Sequence, residues 1–280
     1  MIWTLASYSP TSLTWRVRSP TVFASSGRRA TRARRRLAAI ATEHDLPIGS
    51  EVRVEVGDPA TELIALAEAE DAELIVVASR GLGVAKAALL GGVSSALMRE
   101  SPCPVVVVPP KAVRPRDAKR LDAVVCGVEG QGGDSRVLSF AADLAHRLGV
   151  DLHAVHAYDP RALHTAAAAA PAPPLAAELH EFAERRLERA VEAAGVRAVT
   201  HVLALPPDAA LERVAESTRA GVIVVGSQGR GRLGSVLHGS VAIRLAAEGD
   251  TALVALPTEA ELKAGSGHYE LAAGGDERSL

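Results

Sequence analysis

The residues with the clearest chemistry are glycines at fixed spacing behind a valine-rich run. Val222, Ile223, Val224 and Val225 are followed by Gly226, Gly229, nine residues, and then Gly239-Ser240. Four apolar β-branched residues in a row predict a short buried strand, Val222 to Val225. Gly226, Gly229, Gly231 and Gly234 then open a loop whose backbone a ligand can approach closely. Ser235 to Glu248 reads as a helix, with Val236, Leu237, Ile243 and Leu245 as its apolar candidates. A strand, a glycine loop and a helix N-terminus together aim several backbone N–H groups at one anion. Gly239 adds a gap in the helix surface and Ser240 a hydroxyl donor. The plainer alternative is a strand-to-helix turn whose glycines serve only close packing.

Competing chemistries fit less well. Gly229-Arg230-Gly231-Arg232-Leu233-Gly234 formally matches the dinucleotide fingerprint. That fingerprint follows the first strand of a βαβ unit and needs an acid about 20 residues on, at the end of the next strand. Here a single further strand follows, and Glu248 lies before it, in the helix. A Walker loop needs Gly-Lys-Ser/Thr at its end, and none is present. His238 adjoins Gly239 but has no acid partner in the sequence. His153 and His156 are three apart on a predicted strand, so they face opposite sides and cannot chelate one ion together. No Ser-His-Asp or Cys-His arrangement can be placed, so no catalytic residue and no metal ligand is assigned.

The spacing Gly226-x-x-Gly229, nine residues, Gly239-Ser240 resembles the nucleotide-binding signature of the universal stress protein family. The resemblance covers Glu51 to Pro109 and Leu121 to Pro257. It implies ATP as the ligand, leaving open whether magnesium accompanies it. In that resemblance Gly127, Val128 and Glu129 surround the nucleoside, and Ala157 and Val225 flank the adenine. Gly226 and Gln228 lie by the ribose, and Gly229, Gly239, Ser240 and Val241 hold the phosphates. The family usually carries Asp where this chain has Glu129, one methylene longer, and often a hydroxyl where it has Ala242. A carboxylate at Glu129 accepts hydrogen bonds from ribose hydroxyls or adenine; its bland role is a solvated loop acid. The resemblance further implies a cytoplasmic stress-response regulator that is not an enzyme, weak ATP hydrolysis being left open, and an unidentified regulatory protein partner.

The elements that must position this site form a repeat. Glu51 to Val56 alternates as a strand, and Asp58-Pro59 starts a helix containing Leu63, Ile64 and Leu66. Leu74 to Val77 is a buried strand followed by Ala78-Ser79-Arg80-Gly81, nine residues and Gly91-Gly92; Val105 to Val108 closes the unit. Adding 148 maps Pro59 to Pro207, Gly81 to Gly229, Gly91 to Gly239 and Pro109 to Pro257, without a gap. The second copy reads as strands Ala123 to Gly127, Asp151 to Ala157, Val199 to Leu203, the Val222 strand and Thr251 to Ala255. Helices Ser135 to Leu148, Ala176 to Ala194, Asp208 to Ser217 and Ser235 to Glu248 alternate with them. Asp159 to Leu175, rich in Ala and Pro, reads as a connection.

The alternation and the repeat predict an α/β fold with parallel sheets, and the resemblance implies two tandem doubly wound parallel-sheet domains of the adenine nucleotide α hydrolase-like kind. Residues 1–110 form a degenerate first domain, 111–120 a linker, 121–258 a complete second domain, and 259–280 a tail. The first copy is expected to be incomplete, because its first strand would begin at position 123 − 148 = −25. Ser12 to Arg18 is a candidate remnant of its second strand. Ala78 stands where the motif has its first glycine and Gly92 where it has Ser240, so this copy is read as a packing partner rather than a second site. The two copies are expected to join as an intramolecular pseudo-dimer through Val105 to Val108 and Thr251 to Ala255, with a homodimer left open.

Composition narrows the classes. The chain has 280 residues, 48% apolar but only 3% aromatic, so Ala, Val and Leu must fill its cores. A net charge of −2 gives no global field for nucleic acid or acidic membranes. Met1 to Thr42 contains no acid, a bias shared with organellar transit peptides. The apolar stripe of Leu37, Ile40 and Ala41 favours instead a basic helix, Thr31 to Glu43. Its arginines lack interleaved aromatics, which argues against RNA binding. Cys103 and Cys126 are far apart and form no CxxC, in keeping with a reducing compartment. No apolar run approaches the ~20 residues of a membrane span. Besides a nucleotide-binding regulator, two readings stay open: a nucleotide-free scaffold that dimerises through a sheet edge, and an adenylyl-transfer or ATP-hydrolysing enzyme. The histidine-glycine-histidine type of phosphate motif expected of the last is missing.

Overall fold

A computed structural model describes residues 3–9, 14–23, 35, 53–55, 57–79, 92–109, 111–112, 122–130, 133–159, 173–226 and 240–257. In chain order the strands are β1 (Trp3–Ser9), β2 (Thr14–Phe23), β3 (Arg53–Glu55), β4 (Leu74–Ala78), β5 (Val105–Val108), β6 (Ala123–Gly127), β7 (Asp151–Ala157), β8 (Val199–Leu203), β9 (Ala220–Gly226) and β10 (Ala252–Leu256). The helices are α1 (Pro59–Ala69), α2 (Gly92–Glu100), α3 (Asp134–Leu148), α4 (Pro173–Ala194), α5 (Pro207–Thr218) and α6 (Ser240–Glu248). All ten strands lie in one sheet, ordered β3-β2-β1-β4-β5-β10-β9-β6-β7-β8.

In the second half the chain starts at the middle and winds both ways. From β6 it steps outward to β7 and β8, then returns to the other side of β6 for β9 and β10, all parallel. Alternation along each strand separates two cores. Val124, Cys126, Val224 and Val254 face one side, under Leu138 and Ala141 of α3 and Leu187 of α4. Val125, Ile223, Val225 and Leu253 face the other, under Leu211 and Val214 of α5 and Leu245 of α6. Helices on both faces force both sides of the central strands to be apolar, which is why Ala123 to Cys126 and Ile223 to Val225 are buried without a break. The switch in direction falls between β6 and β9, neighbours in the sheet.

The first half follows the same layout with one change. β4 and β5 are parallel, and α1 and α2 contribute Leu63, Leu66, Leu97 and Met98 to the core that also holds α5 and α6. Asp58 caps α1 as expected, its Oδ1 accepting from the N–H groups of Ala60 at 3.2 Å and Thr61 at 3.1 Å. The expectation that the first-strand position is empty is overturned. β1 fills it, paired with β4 through Thr4–Val76 and Ala6–Leu74, but antiparallel. β2 then pairs antiparallel with β1 and parallel with β3, so it takes the second position in the ordinary direction. The cause is the length of the connection. Only residues 10–13 separate the two strands. A parallel crossover needs a dozen residues or more, whereas a hairpin needs few. The sheet of this half thus has five strands, and the expected all-parallel order becomes a mixed, mostly parallel one.

β5 and β10 pair antiparallel, Val107 opposite Leu253 and Val105 opposite Ala255. That pairing makes one sheet of the two halves, and the core on the α1, α2, α5 and α6 side runs across it. Other boundaries moved little. α4 begins at Pro173, inside the stretch expected to be a connection, because proline's fixed φ and missing N–H suit the first turn of a helix. The expected helix Thr31 to Glu43 lies outside the described residues apart from Arg35, which is helical. The tail 259–280 and most of the linker lie outside them too.

Candidate functional site

Doubly wound sheets open a crevice beyond the carboxyl ends of the strands where the order reverses. Here that point is framed by Gly127 at the end of β6 and Gly226 at the end of β9. The loop after β6, Gly127-Val128-Glu129-Gly130, is pinned by several elements at once. The Val128 N–H donates to the Val155 carbonyl of β7 at 2.9 Å. The Val128 carbonyl lies 2.8 Å from Nδ1 of the buried His156. A carbonyl only accepts, so Nδ1 carries the proton. The Glu129 N–H donates to Oδ1 of Asp134, a buried carboxylate in the first turn of α3, at 3.0 Å. The Glu129 and Gly130 carbonyls both accept from Arg186 of α4, each at 3.0 Å from Nη2. The Glu129 side chain itself is exposed at the crevice mouth.

Gly127 has a packing reason for its identity. A Cβ there would lie 3.2 Å from Cγ1 of Val225 and 3.4 Å from both methyl carbons of Leu211. The missing side chain lets β6 and β9 close under α5, whatever occupies the crevice. Val225 is buried and Gly226 and Ala157 half-buried, and these three lie at the ends of β9 and β7 on either side of β6. They give the crevice an apolar wall. Ser240 and Val241 begin α6 and are half-buried, while Ala242 is buried in the core between α6 and the sheet. A hydroxyl at position 242 would therefore enter apolar packing. Gln228, Gly229, Gly239 and His238 lie outside the described residues. The structure thus brings Gly127, Val128, Glu129, Ala157, Val225 and Gly226 to one sheet edge, and Ser240 and Val241 to the start of the helix that follows β9.

Among the described residues the first half offers no matching frame. Ala78 ends β4 as Gly226 ends β9, and Ser94 Oγ donates to the Ala78 carbonyl at 3.1 Å. Because β1 runs antiparallel, however, its amino-terminal end meets the carboxyl end of β4. No strand-to-helix loop equivalent to residues 127–130 can reach that edge.

His156, Asp134 and Arg186 were not legible as site residues. The signal for Asp134 was available, an acid in the first turn of a helix just after a glycine loop. Arg186 gave none, being one arginine among several on a long amphipathic helix. The remaining reactive groups lie elsewhere. His153 and His201 stack across β7 and β8 with Nδ1 and Nε2 2.8 Å apart. Burial holds both below the ordinary histidine range, with nearby Asp151 partly offsetting this for His153. Burial pushes Cys103 up to about 12 and Cys126 higher still, which leaves both thiols protonated. A cleft of about 430 Å³ beside α5 and α6 is lined by Asp208, Glu212, Arg213, Glu216, Arg244, Glu248 and Asp250 and lies away from the carboxyl ends of the strands. Its acids outnumber its two arginines, which disfavours a polyphosphate there. Among the described residues no group of three or more His, Cys, Asp or Glu could hold a metal ion, and no helix is long and apolar enough to cross a membrane.

Comparison with known proteins adds three findings. A family model described as the universal stress protein family matches residues 9–109 and again 120–257. The chain is 35% identical over 172 residues to universal stress protein Rv2005c of Mycobacterium tuberculosis, which spans 61% of this chain and 57% of that protein. It is 35% identical over 174 residues to universal stress protein Rv2623 of the same organism, with the same coverage. The matched region is thus 57% of the length of these relatives. The fold is similar to a universal stress protein from Archaeoglobus fulgidus, with TM-score 0.54 and 21% identity, covering 86% of this chain and 88% of that one. It is likewise similar to a functionally unknown protein from Pseudomonas aeruginosa, with TM-score 0.58 and 22% identity, covering 88% and 84%.

Proposed function

Because the chain belongs to the universal stress protein family, we propose that it is an ATP-binding regulatory protein holding one nucleotide in the crevice between β6 and β9. The observation that carries this reading is the loop 127–130. Backbone groups of Val128, Glu129 and Gly130 are tied to β7, α3 and α4. The Glu129 carboxylate is exposed at the crevice mouth. A carboxylate only accepts, so it selects a ligand that presents hydroxyl or amino donors, as a nucleoside does.

The residues present suit such a ligand. In this proposal the base lies against Ala157, Val225 and the backbone of Gly127, at the ends of β7, β9 and β6, and the sugar by Gly226, half-buried at the end of β9. The start of α6, with the Ser240 hydroxyl, favours negative charge. Gln228, Gly229 and Gly239 complete the phosphate side in this proposal, between β9 and α6. Bound ATP would supply the polyphosphate charge that the start of α6 favours. With no base or nucleophile assigned along the crevice, the role is reception of the nucleotide and presentation of the bound form to a partner protein. The first half is proposed as the packing partner, since its own crevice has no counterpart of residues 127–130.

Mass spectrometry of the purified, denatured protein tests for carried adenine nucleotide, and calorimetry counts the sites. One ATP per chain is expected. Two sites of similar affinity, or none, would overturn the reading.

A further inference from the structure

Loop 127–130 is held from a distance as well as by its neighbours. Arg186 lies 56 residues beyond Gly130, on α4, the helix that packs over β7 and β8. Its Nη2 donates to the carbonyls of Glu129 and Gly130 at 3.0 Å each, and its Nε to Gly130 at 3.3 Å. The guanidinium lies over the ring of Phe182, one turn back, with its carbon 5.6 Å from the centroid. A flat cation seated on an aromatic face loses few conformations on making these bonds. Gly130 has φ +73°, and a Cβ there would stand 2.7 Å from Arg186 Nε. The glycine thus serves two ends, admitting the left-handed turn and letting the guanidinium reach both carbonyls.

We infer that Arg186 is a positioning residue for nucleotide binding: it fixes the backbone of Glu129 and Gly130, and so the direction from which the Glu129 carboxylate meets the ligand. The inference rests on reading the β6–β9 crevice as the nucleotide site. Asp134 holds the Glu129 N–H and Arg186 the Glu129 carbonyl, so the residue is gripped on both sides of its Cα. Releasing one grip lets the peptide after Glu129 rotate, and a carboxylate held out of place is lost to the ligand. Arg186 acts through the loop alone. Its removal leaves the buried face of α4, Ala183 and Leu187, untouched.

The test compares the intact protein with Arg186→Ala, Arg186→Lys, Gly130→Ala and the Gly130→Ala/Arg186→Ala double variant. ATP affinity is measured by calorimetry, and amide exchange at residues 128–130 is followed without ligand. Arg186→Ala should weaken ATP roughly tenfold, the part of the loss of its three charge-assisted hydrogen bonds to the loop that is felt by the ligand. It should also speed exchange of the Glu129 amide while the ligand-free unfolding midpoint stays close to that of the parent. Lysine, a point charge without the fork, should recover only part of the affinity. Gly130→Ala should mimic the loss, and the double variant should lose clearly less than the sum of the two single losses, because both disrupt one contact. An Arg186→Ala protein that binds ATP within twofold of the parent overturns the inference, as does full additivity in the double variant. If the parent itself binds no ATP, the nucleotide reading falls. Unchanged exchange at Glu129 in Arg186→Ala then removes Arg186's hold on the loop as well.

Discussion

Leu253 sits at the seam of the molecule and offers the most searching test of its architecture. It is fully buried in β10, opposite Val107 of β5, in the core that spans both halves. Replacing it with alanine deletes three carbons and leaves a cavity bounded by two strands that cannot easily collapse. The loss is expected at about 3 kcal/mol, within the range seen for buried leucines. With a urea dependence of about 3 kcal/mol per molar, suited to a chain of this size, the midpoint should fall by about 1 M. The two tryptophans make the experiment discriminating. Trp3 and Trp15 lie in β1 and β2, at the far side of the first half. Helical circular dichroism reports mainly α3 to α6, in the second half. Leu253→Ala should therefore shift the tryptophan transition and the helical transition together, although the mutation lies in the second half. A helical transition that moves while tryptophan stays in place would refute the single continuous core, as would a loss below about 1 kcal/mol, too small for a cavity at a rigid seam.

Further outcomes follow from individual residues. Ser240→Ala combined with Gly229→Val should abolish ATP-dependent thermal stabilisation in a folded protein, a gain worth roughly 2.7 kcal/mol in the parent at 100 times Kd; an unchanged shift would remove the phosphate side of the proposed site. Asp58→Ala should lower the thermal midpoint by uncapping α1, and the parent's advantage should vanish in acid. Hydrogen bonds from the Thr61 N–H and hydroxyl and the Ala60 N–H depress the Asp58 carboxyl, so its contribution is present above the unfolded value near pH 4 and lost as pH falls through the folded one. The His153–His201 pair should act in a higher window. Both imidazoles are depressed by burial, so the unfolded chain takes up protons first and stability falls as pH drops below about 6.5; His153→Gln/His201→Gln should flatten that slope, measured by denaturation at pH 7.5 and 5.5. Cys103 and Cys126 are buried with raised thiols, and a disulfide reagent should label both only at the rate of global or local opening. Rapid stoichiometric labelling of the native protein would contradict their burial.

Local physics, legible in the residues themselves, determined much of this protein. Short β-branched runs such as Val105 to Val108 and Ile223 to Val225 have no stable alternative to a buried strand. Asp58-Pro59 announces a helix start by the two groups that suit one. The repeat at 148 residues carried the order of β4, β5, β9 and β10, because equivalent patterns bury equivalent faces. The glycine spacing pointed to the crevice for the same reason, a strand end and a helix start being local features. Only the tertiary structure decided the rest. That β1 enters the first-strand position backwards follows from a connection too short for a crossover, and its partner β4 lies about 70 residues away; nothing within Trp3 to Ser9 encodes direction. Gly127 reads as a ligand contact in sequence; that Val225 and Leu211, 98 and 84 residues distant, crowd the space a side chain there would fill is visible only in the fold. Arg186 and Asp134 meet at Glu129 because α3 and α4 pack on one face of the sheet, a juxtaposition created by folding and invisible to any window along the chain.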